Sequence, residues 1–342
     1  MLLIRDRSLG TRRHTRRPGF TLAELLVALT IFGIVMGGMM AVLRRQQRFY
    51  RSATDLMSMR GQLRQGEMVL PYDLRWISTA DTLINTPSNK WYVDIYNRDD
   101  HTIEFRRMLG SSVVCGKKAL APIDTIILPP TTMSPLLTTW GSVPVIGDSL
   151  LILDEGISPS QVDDQWRAYG ITAISQASGL TGCPFGLGNL LALTDTSGKS
   201  YRVTISPALS STVVQNAPVR VFRRSRYQLY KASDNKWYLG FADCLSTYTT
   251  ASGCSTMTPV AGPFLGYQNG NGTPDGLTFN YLDSTGTTVP TVGNGGKSSD
   301  IARIKVVVRG ITRNVVDMSG QTLNAKQKID SAVLSIAVRN RK

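Results

Sequence analysis

The sequence predicts an α+β protein in which one long N-terminal helix, membrane-spanning over its first half, packs its second half on a large antiparallel β-rich head. Two observations carry this expectation. Residues 20–42 form an apolar run whose single charge is Glu24, and a helix of that length crosses the hydrocarbon of a bilayer. Beyond about residue 80 the hydropathy pattern changes from period 3.6 to period 2, with Thr, Val, Ile and Tyr in the runs and Gly, Pro, Asn and Asp between them. With 42% hydrophobic and 18% charged residues over 342 positions, the chain is globular rather than disordered. The expected organisation is a basic leader over 1–19, a transmembrane helix over 20–42, its continuation over 43–79 and a head over 80–342.

The leader comes first. Residues 1–19 hold six arginines against one acid, Asp6, so much of the net charge of +14 belongs to a short tail rather than to the head. Arginines also follow the apolar run, at Arg44, Arg45, Arg48 and Arg51. The difference gives a slight bias that places the N-terminus in the cytoplasm. A secretory signal would end in small residues after its apolar region. Here nothing of that kind follows Val42, and Gly19 instead stands at the front edge of the run.

The helix comes next. From Phe49, steps of four and three reach Ala53, Leu56, Arg60, Leu63, Glu67, Leu70, Leu74 and Ile77, mostly apolar, which predicts one buried face on a helix reaching about Ser78. Pro71 removes one hydrogen bond and is expected to kink this helix rather than end it. In the head, strands are predicted at 91–97, 102–108, 148–155, 189–195, 201–206, 217–232, 236–243, 276–283, 301–313 and 331–340. Ser233, Asp234 and Asn235 form the turn of a hairpin between the sixth and seventh of these.

A basic flank ending in Gly19, then Phe20, Thr21 and Leu22, with Glu24 five residues into the apolar run, resembles the class III leader of type IV pilins and type II secretion pseudopilins. The order of strands after residue 217 resembles, more loosely, PilW-type minor pilins and the pseudopilin J family. The resemblance implies cleavage after Gly19 by a prepilin peptidase and methylation of the new amino terminus at Phe20. It also implies recruitment of a neighbouring subunit's amino terminus by Glu24. An acid inside hydrocarbon is costly and generally has a partner and a role. The bland alternative is a carboxylate at the interface, favoured by the helix dipole.

Function follows as an expectation: a non-enzymatic minor pilin or pseudopilin acting near a filament tip, with other pilins, the prepilin peptidase and the inner membrane as partners. The head would be periplasmic. A tip-borne adhesin or DNA receptor is the alternative, with DNA the less favoured partner. With the head outside the cytoplasm, disulfides are expected. Three pairings exist, of which Cys244–Cys254 would clip the polar loop 245–253 and leave Cys115 with Cys183. Four separate buried thiols are the other reading.

The supply of catalytic groups is poor. His14 lies in the leader, which leaves His101, in a turn-like stretch, as the one histidine of a mature chain. Sites needing two histidines are excluded. The stretch 291–298 imitates a phosphate-binding loop, but Thr291 stands where glycine is required, and a strand rather than a helix follows. Asp154 with Glu155, Asp163 with Asp164, and Asp275 near Asp283 lack the spacing of a calcium loop and read as turn residues. No cofactor or metal is expected. Finally, strand alternation puts Arg220, Phe222, Arg224 and Arg226 on one face and Val221, Arg223 and Ser225 on the other, and the cationic face is expected to be the solvated one.

Overall fold

A computed structural model describes residues 19–75, 77, 95–118, 121–129, 139, 141–157, 163–178, 199–245, 253–267, 274–290, 300–315 and 327–338. The leader up to Pro18, the expected strand 189–195 and the loop 291–298 lie outside the described residues. One helix, α1 (Leu22–Leu74), precedes the strands β1 (Ile95–Arg98), β2 (Thr102–Val113), β3 (Gly116–Lys117), β4 (Thr125–Leu128), β5 (Ser149–Asp154), β6 (Gln165–Ser178) and β7 (Lys199–Ser206). These are followed by β8 (Pro218–Lys231), β9 (Trp237–Asp243), β10 (Thr258–Phe264), β11 (Leu277–Leu282), β12 (Arg303–Ile311) and β13 (Ile329–Ala337). Every strand pairing is antiparallel. The chain is therefore α+β: one long apolar N-terminal helix followed by a large antiparallel sheet.

Two compact units divide the chain, residues 1–54 with 316–326, and residues 55–315 with 327–342. The second contains all the strands and the last five turns of α1. Its organising element is β8, fourteen residues long. β2 follows one edge of β8 from Pro218 to Gln228, while the other edge is shared by β5 over Val219–Phe222 and β9 over Ser225–Lys231. This division of one strand between two partners separates two apolar cores. One lies under β4–β7 around Leu150, Tyr169, Val203 and Val221. The other lies under β9–β13 around Phe105, Tyr227, Phe279 and Val306.

The end of α1 closes the second core. Leu56, Leu63, Leu70, Leu74 and Ile77 are buried, as the periodicity predicts, but Arg60 and Phe49 are exposed and Met59 takes the inward place instead. The inward positions 56, 59, 63, 66 and 70 repeat every three and four residues, the spacing of a narrow seam. Glycine lets the two layers approach within this seam. A Cβ added to Gly310 of β12 would lie 2.7 Å from Met59 Cγ. The helix ends at Leu74 rather than near Ser78, with Pro71 inside its last turn and Arg75 N–H bonded to Pro71 O. Beyond it Ile77 N–H bonds to Leu74 O, a tightened last turn.

Four strands escape sequence pattern. β3 and β4 are two and four residues long, β10 carries Pro259 and Pro263, which argue against a strand, and β6 mixes Ala, Gly and Ser into its alternation.

A buried acid marks the helix–sheet contact. Tyr227 Oη donates to Asp73 Oδ2 at 2.6 Å. Burial raises the Asp73 pKa from the ordinary carboxylate range, against the lowering effects of the Tyr227 hydrogen bond and Arg107, and burial raises the Tyr227 phenol as well. For an acid whose folded pKa is raised, the contribution to stability is complete below the unfolded value and is lost as pH rises through the folded value. Asp73→Asn, which keeps an acceptor for Tyr227, should therefore stabilise the chain at neutral pH and flatten this part of its pH dependence. Tyr227→Phe should cost about 1–3 kcal/mol by leaving a buried carboxylate oxygen without its donor. Thermal unfolding of both variants across the acid range checks the pair.

Candidate functional site

The first turn of α1 explains its start chemically. Thr21 is the residue before Leu22 and Glu24 is the third residue of the helix, the spacing of a capping box. Glu24 N–H donates to Thr21 Oγ1 at 3.3 Å, and Thr21 N–H donates back to Glu24 Oε2 at 3.0 Å. The Thr21 hydroxyl donates to the same carboxylate oxygen at 3.1 Å. Glu24 thus satisfies orphan donors of its own helix through Oε2 and keeps Oε1 without a partner among the described residues. The sequence reading assigned Glu24 to an intermolecular role and missed this local one, although Thr-x-x-Glu before an apolar run is its signal.

From Phe20 to Leu43 every large apolar side chain is exposed, and Glu24 is the only charge. The apolar window is long enough to cross a membrane, and none of it is buried within the protein. Apolar side chains on every side of a helix are the mark of a segment solvated by lipid or by other helices. Gly19 has open space where a Cβ would stand. Among the described residues, packing therefore does not require glycine at this position.

The head holds its charges in pairs. On the core face of β8, Arg223 sits where the strand changes partner from β5 to β9. Its Nε and Nη2 donate to the two oxygens of Asp148 at 2.7 and 2.8 Å, and Nη1 donates to Asp243 at 3.3 Å. Asp148 directly precedes β5 and Asp243 ends β9, so one guanidinium ties both incoming strands to β8. The Asp148 hydrogen bonds raise the Arg223 pKa further, against its burial. Arg107, opposite Arg223 on β2, also donates to Asp243 and stacks on Phe241. A cleft of about 380 Å³ opens beside this seam, lined by Tyr72, Asp73, Arg107, Leu109, Gly141 and Ser142.

The opposite face is the more exposed of the two, as expected, except at Phe222, and its arginines are partnered. Phe222 is buried, and Glu104, in register with Arg226, draws both Arg224 and Arg226 onto its own buried carboxylate. Arg220 lies over Trp166 at 4.4 Å and Arg224 over Tyr96 at 4.7 Å. One carboxylate balances only one of the two guanidiniums it binds, so this cluster keeps a net positive charge.

Among the remaining candidates, Asp154, Asp163, Asp283 and His101 have protein partners of their own. Asp154 is buried and pairs with Arg167 at 2.7 Å. Asp163 Oδ2 accepts from Ile157 N–H at 2.7 Å. Asp283 accepts from Thr285 and Thr287, and these bonds lower its pKa. His101 Nδ1 lies 2.6 Å from Asp100 Oδ1, with its ring against Tyr267. Among the described residues, two groups bring three potential metal ligands close together, Asp99–Asp100–His101 and Glu104–Cys244–Cys254. The second contains no thiolate, because Cys244 and Cys254 are joined in a disulfide. Cys115 is also disulfide-bonded, and Cys183, its expected partner, lies outside the described residues.

No curated protein and no solved structure matches the chain. A family model for the prokaryotic N-terminal methylation motif matches residues 15–40, which supports a pilin-type protein carried by that N-terminal segment.

Proposed function

We propose that this chain is a minor subunit of a type IV pilus or of a type II secretion pseudopilus, working in filament assembly or priming and not as an enzyme. Prepilin peptidase cuts after Gly19, Phe20 is methylated, and the helix from Phe20 onward sits in the inner membrane with the head in the periplasm. Neighbouring subunits meet this one through their apolar helices, and Glu24 receives the amino terminus of the next. The observation that carries the reading is the methylation motif over residues 15–40, joined to a helix exposed on every side from Phe20 to Leu43. The head exceeds 250 residues. That bulk favours a minor component near the tip, where crowding by neighbours is least. The test is the mass of the amino-terminal peptide from the membrane fraction of cells with active prepilin peptidase. A peptide beginning at N-methyl-Phe20 is expected, and a chain still beginning at Met1 would end the proposal.

A further inference from the structure

We propose that the free edge of β13 is a docking site for an extended acidic segment of a partner polypeptide, which adds to the sheet as a further strand. This inference goes beyond the assembly role and does not depend on it, because β13 and its neighbours belong to the head.

The pairing of β13 with β12 is regular over nine residues, from Ile329 opposite Ile311 to Ala337 opposite Arg303, with no register shift. Backbone groups in an antiparallel pair alternate between partner and far side. Just beyond the two ends of the pair, Thr312 N–H donates to Lys328 O, and Val338 N–H donates to Ala302 O. The even-numbered residues of β13 therefore face β12. Those of Ile329, Ser331, Val333, Ser335 and Ala337 face the free edge. Ser331 N–H is taken by Asp330 Oδ1, which agrees with this parity. The other edge groups have no partner among the described residues.

Long open edges invite pairing, and proteins ordinarily blunt them with charge, proline, bulges or brevity. Brevity serves β1 and β3, of four and two residues. β13 has no proline and no bulge, and its one charge, Asp330 at its start, takes the Ser331 N–H and pairs with Arg60, so the edge from Val333 to Ala337 uses none of these devices. Its outward side chains are Ile329, Ser331, Val333, Ser335 and Ala337, uncharged, with Val333 57% exposed. Charge stands one strand behind. Arg303 and Lys305 of β12 are exposed, share the outward face with Ala337 and Ser335, and have no ion-pair partner among the described residues. Side chains as short as Ala337 and Ser335 leave these cations open toward the edge. Glu or Asp on the outward face of an added strand would meet them. A second copy of this chain would instead bring two basic faces together. Strand addition supplies affinity through the main chain, and alternate side chains supply selectivity.

The full chain, solubilised in detergent, tests this with two fluorescently labelled octapeptides, one alternating Glu and Val and the other alternating Lys and Val. Fluorescence anisotropy should show the acidic peptide bound about tenfold or more tightly than the basic one. Ser335→Pro removes an edge N–H without removing a ladder bond, and should abolish binding while thermal unfolding changes little. The double variant Arg303→Glu, Lys305→Glu leaves the edge intact and should reverse the preference, which keeps the test decisive even where the proline variant folds poorly. Equal binding of both peptides, no binding of either, or an unaltered preference in the double variant would overturn the proposal. So would a wild-type dimer that Ser335→Pro dissolves, since that outcome assigns the edge to a second copy.

Discussion

Arg223→Ala is expected to lower the stability of the head by about 3–5 kcal/mol, the cost typical of removing one member of a buried ion pair. The magnitude comes from what is left behind. Asp148 is buried, and its two oxygens take the Arg223 fork in bidentate geometry, with Val145 N–H as a further donor to one of them. Without the guanidinium that carboxylate stays desolvated with one backbone donor. Asp243 would keep Arg107 and the Ser225 hydroxyl, so the loss falls on the β5 side of the seam. Arg224→Ala provides the contrast on the same strand. Its side chain is 44% exposed, and when it is removed the buried Glu104 keeps both bonds from Arg226, so the loss should be about 1 kcal/mol or less. Thermal unfolding by circular dichroism should therefore separate adjacent arginines by a wide margin. Similar losses for the two would mean that Arg223 holds no special place between β5 and β9. Replacing Arg223 and Asp148 together by Met and Leu should recover much of the loss, because apolar residues of similar volume leave no orphaned charge.

How far the sequence reveals this molecule depends on the range over which each signal acts. The helix was legible because its information is local: an apolar run from Phe20 with the single charge Glu24, then apolar residues at steps of three and four. Even there the phase slipped by one residue, since Arg60 and Glu67 fit the arithmetic as well as Met59 and Gly66 do. The contacts with the sheet, Gly310 against Met59 and Phe264 against Gly66, decide which set faces inward. Strands with clean alternation, such as β8 and β12, were legible for the same local reason. β10 was not, because its prolines oppose the assignment and its place depends on β9 and on the end of β12. The seam at Arg223 needed pairing across 75 residues to Asp148 and 20 to Asp243. Yet a hint was present. Val219, Val221, Tyr227 and Leu229 share the Arg223 face, and a charge on an otherwise apolar face asks for a partner just as Glu24 does in its helix.

Glu24 yields the second large effect, and the capping box makes its test sharper than a single deletion. Glu24→Ala should leave the chain inserted in the membrane, since removing a carboxylate makes the segment more apolar. Filament formation or secretion at normal protein levels should fall about tenfold or more if an amino terminus of a neighbour loses its buried counter-charge. Alanine, however, also removes the reciprocal bonds between Glu24 and Thr21, so a fall alone would not separate assembly from a frayed helix start. Glu24→Gln separates them. Glutamine serves in a capping box as glutamate does but carries no charge for an amine. Thr21→Val does the reverse, deleting the hydroxyl that caps Glu24 N–H while leaving the carboxylate and its free Oε1 in place. If recruitment of a neighbour is the role of Glu24, assembly should be lost in Glu24→Ala and Glu24→Gln alike and largely kept in Thr21→Val. Crosslinking between cysteines introduced on adjacent apolar helices should follow the same order. Normal assembly in Glu24→Gln, with loss in Thr21→Val, would assign the acid to its own helix, whose first turn it closes whatever lies beside it.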